Sequence, residues 1–282
     1  MDKRLISQDI KRKLNPIYIC KRLGAKFLWN AQILLTLFGL YENCDGEKLK
    51  KLKDIHKGRI GFLIGSGPSV RVEDLEKLKN EVTFCFNRFH LAYEMSSLRP
   101  LYTVSADMGM INNFGNEIVK KSCGTVFIAA KERPVLAGDF TWLGAKYKAP
   151  PLVFSKKIYH HVTIGGASLL VALQIGYFMG IEHFVLYGID HYFKYKIEEY
   201  NDQSNDYCTA SGDDNHFIKN YRGGKSWCLP DTKMIEKSLR WADCFLREKG
   251  GWMINATRGG KLEILERKSL AKMMQKLNNS QQ

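Results

Sequence analysis

No Cys-x-x-Cys pair occurs in this chain, and its seven cysteines (20, 44, 85, 123, 208, 228 and 244) are widely spaced and odd in number. Neither a zinc ribbon nor a disulfide framework fits, so the thiols read as small apolar side chains of a protein in a reducing compartment. No segment resembles a secretory leader, because basic residues recur throughout the first 24 positions. Membrane-length apolar runs are also missing. The longest, residues 25–41, is interrupted by Lys26, Asn30, Gln32 and Thr36, and 17 helical residues reach only about 26 Å of a roughly 30 Å hydrocarbon core. Internal repeats are absent, as is the Asp-x-Asp pair used by metal-dependent sugar transferases.

Acidic residues are in deficit. Against 43 Lys and Arg there are 29 Asp and Glu in 282 residues, a formal charge of +14, with 45% hydrophobic and 12% aromatic residues. This is a globular composition that can bury a sizeable core, and it excludes disordered, collagenous and coiled-coil chains. Residues 1–60 hold 14 Lys and Arg against 6 Asp and Glu, so +8 of the excess lies there. Within that stretch Phe27, Leu28, Ala31, Leu34, Leu35 and Phe38 share one side of a moderately amphipathic helix. Basic charge beside such a helix suits a peripheral contact with an anionic lipid surface, and packing on protein is the alternative. The charge would also serve nucleic-acid binding, but no nucleic-acid module is visible, and a basic surface is equally suited to acidic glycans.

From residue 59 the pattern alternates. Residues 59–65, 82–87, 101–107, 125–130, 183–190 and 252–257 are short apolar runs, most of them closed by Gly, Asn or Asp, as buried parallel strands are. Segments of helix length lie between them, notably 72–79, 167–180 and 231–250. The alternation predicts an α/β fold, a doubly wound and mostly parallel sheet. Residues 167–180 are apolar nearly all round, with Ser168, Ala172, Gly176 and Gly180 forming a small-residue ridge for close approach to the sheet. Residues 193–225 lack apolar periodicity and read as a long loop, of a kind that is functional or mobile. The last residues, LNNSQQ, read as a frayed tail.

Two glycine turns carry candidate chemistry. Gly65-Ser66-Gly67-Pro68-Ser69 follows the first strand and precedes a helix, a geometry that offers backbone N–H groups to an anion or serves simply as a turn. The dinucleotide fingerprint fails because position 70 is Val and no acidic residue stands about twenty residues on; Gly224-Lys225-Ser226 lacks the rest of a Walker loop. Thr163-Ile164-Gly165-Gly166-Ala167-Ser168 opens the apolar helix, either as a close-packing cap or as a second anion site. Strand ends add Asn87, Asp107 and Asp190, each a crevice residue or a turn residue. His160 and His161 read as surface residues with no metal-ligand spacing around them. The Asn255 sequon ends an apolar run and is discounted.

These turns, Val185-Leu186-Tyr187-Gly188-Ile189-Asp190, Asn215-His216-Phe217 and Ile254-Asn255-Ala256-Thr257-Arg258-Gly259-Gly260 occur in an order that resembles the Rossmann-like family called domain of unknown function 115, or MptE-like. That family includes motility accessory factors that glycosylate flagellin and an archaeal hydroxymethylpterin diphosphokinase. The order is also similar to that of bacterial CMP-sialic-acid-dependent sialyltransferases, and the resemblance covers residues 58–267. It implies that Gly65, Ser66, Gly67 and Ser69 cradle the nucleotide, that Asn87 and Asp190 contact the donor, that Gly165 and Gly166 form the second glycine turn, and that Tyr192 meets the departing phosphate; Asp107 is a donor-site candidate from its strand end alone. It places His216 as general base. A second phosphate tyrosine has no aligned counterpart, since Tyr195 and Tyr200 are only neighbours of that position.

The expectation is therefore a metal-independent glycosyltransferase at the inner face of a bacterial plasma membrane. It would move an acidic, sialic-acid-like or Kdo-like sugar from a CMP donor to a surface-glycan or lipid-linked acceptor, with no resident cofactor. Alternatives are an ATP-dependent diphosphotransferase acting on a pterin-like alcohol, and a non-catalytic polysaccharide-assembly protein. The expected layout is a basic helical extension at 1–57, a Rossmann-like domain at 58–267 and a C-terminal helix and tail at 268–282, with homo-oligomers possible.

Overall fold

The computed structural model describes Gly24, Phe27, Ala31 and residues 44–147, 154, 158–194, 196–200, 207–211, 214–225 and 227–280; the side chains of 196–200, 207–211, 227–228 and 276–280 are not described. The chain divides into two compact units, Met1–Asn43 and Cys44–Gln282. The expected border at 57/58 thus moves to 43/44. Residues after Cys44 belong to the second unit because Asp45 N–H donates to the Trp142 carbonyl and Leu49 is fully buried in its core. The expected lipid-binding helix falls almost wholly outside the described residues. Among those described, no helix is long and apolar enough to cross a membrane.

The second unit is built on nine parallel strands: β1 Ile60–Ile64, β2 Val82–Phe86, β3 Tyr102–Ser105, β4 Thr125–Ala130, β5 Thr141–Lys146, β6 Val162–Thr163, β7 His183–Tyr187, β11 Trp252–Asn255 and β12 Glu266–Arg267. Their order is β12-β11-β7-β1-β2-β3-β4-β5-β6. The chain winds outward from β1 to β6, then returns to place β7 on the other side of β1. Between β1 and β7 lies the switch point, where open α/β sheets bind ligands beyond the carboxyl ends of their strands. All six expected strands form. The sequence reading did not identify β5, β6 and β12.

Strand alternation sorts the core into two layers. Leu63, Phe184 and Leu186 face one cluster, whereas Phe62, Ile64, Val185 and Tyr187 face the other. On the first side lie α4 (Ser168–Phe178) and α5 (Thr232–Glu248), and on the second α2 (Val72–Glu76), a 3-10 helix at Phe89–Glu94 and α6 (Leu270–Ser280). The same unit also holds α1 (Gly46–Lys50) and α3 (Met108–Lys121). Every residue of α4 except Tyr177 is buried, as its unbroken apolar composition demands. Its small-residue ridge meets the sheet as expected: a Cβ on Gly176 would stand 2.7 Å from the Phe184 ring. Gln174, fully buried, satisfies its amide on both Thr163 backbone groups and the Leu170 carbonyl, which removes the cost of an unpaired polar group.

Three further expectations change. Residues 193–225 are not one long loop, for β8 (Lys196–Tyr200), β9 (Tyr207–Ser211) and β10 (Trp227–Cys228) form a separate antiparallel sheet in the order β10-β9-β8. Such short polar strands pair with each other and need no apolar face to signal them. LNNS is not frayed but continues α6 to Ser280, and Leu270 and Met273 of that helix are buried in the second cluster. His160 and His161 are half-buried, not the fully exposed residues expected. Among the described residues, no group of three or more His, Cys, Asp or Glu side chains could hold a metal ion.

Candidate functional site

The bend after β1 is joined to the end of β7. Gly65 N–H donates to the Tyr187 carbonyl (2.8 Å) and Gly67 N–H to the Gly188 carbonyl (3.0 Å), extending the ladder past both strands. Ser69 donates its N–H (3.4 Å) and its hydroxyl (2.7 Å) to Asp190 Oδ2. Val70 N–H donates to the Gly67 carbonyl and Arg71 N–H to the Tyr187 hydroxyl. Pro68 has no N–H to give. The bend therefore spends nearly all its amides on the protein, with Ser66 N–H as the exception. It is not the open nest expected at Gly65, Gly67 and Ser69. Only glycine fits at 67, where a Cβ would land on the Asp190 carboxylate, 2.7 Å from its Cγ.

The second bend behaves differently. Gly165, Gly166, Ser168 and Leu169 direct no backbone N–H to a hydrogen-bond partner among the described residues, and no side chain caps α4. Free amides at the positive end of an eleven-residue helix suit an oxyanion. Both bends stand at the carboxyl edge of the sheet. Ala106, just past β3, donates its N–H to Ser168 Oγ (3.0 Å), while Ser238 of α5 donates its hydroxyl to the Gly165 carbonyl (2.9 Å).

His216 meets this edge across 150 residues of sequence. Ser66 Oγ and His216 Nδ1 share a hydrogen bond of 2.9 Å, and Phe217 N–H donates to the Ser66 carbonyl. Tyr221 stacks on the imidazole, ring centroids 3.8 Å apart and planes 23° from parallel. Its phenol is pushed up to about 12 by burial, against the opposing effect of hydrogen bonds from Ser66 and Asn87. Asn87, with φ of 51°, accepts the Ser105 hydroxyl at 2.8 Å. Asparagine tolerates this left-handed backbone better than most residues. The predicted base and the donor asparagine thus meet through Ser66 and Tyr221.

Arg88 holds the loop in place. Its guanidinium donates to the Asn220 and Tyr221 carbonyls, pairs with Glu117 and lies 4.0 Å over the Phe114 ring. His90 Nε2 also meets Glu117 at 2.7 Å. Burial works to raise the Glu117 pKa, but hydrogen bonds from His90 and Arg88 outweigh it and leave the carboxyl below its usual value. Buried Asn215 adds a second anchor by accepting Lys194 N–H (2.6 Å) and donating to the Lys194 carbonyl (2.7 Å).

Asp107 is occupied elsewhere: its carboxylate caps α3 by accepting Met110 N–H at 3.1 Å, and burial raises its pKa. Oδ1 of the expected donor-site carboxylate is thus engaged by the helix that it caps. Asp190 is likewise raised by burial and serves as the brace of the β1 bend. Tyr192 is 42% exposed beside Lys261, whose Nζ lies 4.0 Å from the ring centroid. Tyr195 lies outside the described residues, and Tyr200 belongs to β8. Sequence reasoning missed Tyr221, Arg88 and Glu117, because their pairing has no local pattern.

A cavity of about 310 Å³ opens nearby, at the ends of β11 and β12, lined among others by Arg258, Arg267, Lys268 and Ser269. Its cations are already compensated: Arg258 pairs with Asp74, Arg267 with Glu263 and three carbonyls, and Lys268 with Glu266. The crevice at β1 and β7 is the better candidate because it holds the convergent polar groups. No family model, curated protein or solved structure matches this chain.

Proposed function

We propose that this protein transfers an acidic sugar from a CMP-activated donor to a hydroxyl acceptor, with His216 as general base. The reading is carried by the hydrogen bond from His216 to Ser66 at the switch point of the sheet. When Nδ1 bears the proton and donates to Ser66 Oγ, Nε2 is the lone-pair nitrogen, the form in which an imidazole accepts a proton near neutral pH. The acceptor oxygen then bonds to the anomeric carbon, the bond from that carbon to the phosphate oxygen breaks, and CMP leaves with the electron pair. Nε2 takes the acceptor's proton. The uncommitted amides of Gly165, Gly166, Ser168 and Leu169 supply hydrogen bonds to the departing phosphate, a role the β1 bend has too few amides to fill.

A panel of CMP, CMP-sugars and ATP, followed by melting temperature and calorimetry, tests the donor. Binding by CMP compounds supports the reading, whereas binding by ATP alone supports the diphosphotransferase alternative. Binding of neither removes both. In His216→Ala, turnover falls by about 100-fold or more while donor affinity is unchanged; unaltered turnover removes the imidazole from the reaction. The basic N-terminal stretch suits attachment to an anionic membrane face. Loss of vesicle co-sedimentation on deleting residues 1–43 would support that attachment.

A further inference from the structure

Lys194 and Lys261 approach the same aromatic ring, two residues past the Asp190 brace of the β1 bend, their Nζ atoms 5.7 and 4.0 Å from the Tyr192 centroid. Neither ammonium has a carboxylate within 4.0 Å among the described residues, whereas the cations around the neighbouring cavity are all paired. Two like charges beside one ring repel each other, and a cation–π contact at an exposed site offsets only part of that cost.

Their backbones are fixed in place. Lys261 N–H donates to the Asp190 carbonyl at 2.7 Å. Lys194 is clamped through both backbone groups by buried Asn215, the residue before His216. One lysine is therefore tied to the brace of the β1 bend and the other to the loop that carries the imidazole. Tyr192 itself is 42% exposed, and Lys194 and Lys261 are exposed beside it.

We propose that Tyr192, Lys194 and Lys261 form the subsite that recognises the carboxylate of the transferred sugar. This inference rests on the CMP-donor reading above. The α4 amides meet the phosphate in that reading, so a second anion remains to be matched, and these two ammonium groups are the cations poised for it beside the crevice. Charge-assisted hydrogen bonds from two ammonium groups favour an acidic sugar over a neutral one of the same shape.

Calorimetry on the full chain separates the two anions, using CMP, which has only the phosphate, and the 3-fluoro analogue of CMP-sialic acid, which adds the carboxylate and resists transfer. The wild-type chain binds the analogue more tightly than CMP. In Lys194→Gln/Lys261→Gln, CMP affinity stays within about twofold while affinity for the analogue drops about tenfold or more; Lys194→Arg/Lys261→Arg retains it. An analogue affinity unchanged by the glutamines overturns the subsite, as does a wild-type chain that prefers CMP. A parallel fall for CMP reassigns the lysines to the phosphate and also overturns it. If the wild-type chain binds no CMP compound, the donor reading itself fails and the carboxylate assignment falls with it.

Discussion

The bend after β1 and the bend before α4 share a residue type and an edge of the sheet, yet they use their amides in opposite ways. In the first, the N–H groups of residues 65, 67, 69, 70 and 71 all end on protein acceptors. In the second, those of 165, 166, 168 and 169 have no acceptor among the described residues. The cause is the neighbour. Beside the first bend runs the end of β7, whose carbonyls continue the ladder and whose Asp190 reaches back. The second bend faces α5, which offers a Ser238 hydroxyl to a carbonyl and Ile235 to a Cα. A glycine turn is a ligand cradle only where the fold has left its donors unspent.

The largest effect that would sharpen this contrast is expected at Gly67. Gly67→Ala drives a methyl into the Asp190 carboxylate and the Gly188 carbonyl, and should cost about 3 kcal/mol or more of stability, read as a fall in Cm at constant m. Gly166→Ala should cost less. Its φ of +103° strains any other residue, and the new methyl meets a movable Ile235 side chain at 3.0 Å. About 1–2 kcal/mol is expected, accompanied by weaker CMP binding, which Gly67→Ala does not explain except through unfolding. Equal losses of CMP affinity per unit of lost stability in the two variants would erase the distinction.

Ser66→Ala should act on turnover more than on stability. It removes the Nδ1 partner of His216 and a hydrogen bond to Tyr221, worth about 1 kcal/mol, so kcat falls several-fold with KM nearly constant. The smallest effect belongs to Asp190→Asn, which keeps an acceptor for Ser69. Burial holds the aspartate above its ordinary value of 3.8. The folded state therefore keeps its proton where the unfolded chain has lost it, and stability declines as pH climbs from 3.8 through the raised value. In the variant that part of the slope flattens, as a series of denaturant midpoints across acidic pH would show. An unaltered slope assigns the dependence to other carboxyls.

The central strands were legible because burial on both faces makes them near-continuous apolar runs, as in Val82–Phe86 and His183–Tyr187. β5 was not, since Thr141, Gly144 and Lys146 dilute its pattern. Asp107 was read as a ligand because helix caps and crevice residues share the same residue type at a strand end. His216 was singled out by the resemblance of its motif, and its side chain meets Ser66. Tyr221 and Arg88 could not be, because their contacts span 133 residues and depend on a loop path that no local periodicity encodes.

Because β1 and β7 are laced together beyond their last paired residues, the floor of the crevice is held as one piece. His216 leans on that edge through Ser66, whose Oγ meets its Nδ1 and whose carbonyl accepts Phe217 N–H. A histidine 150 residues away along the chain is thereby registered to the sheet itself, within the slack of two hydrogen bonds.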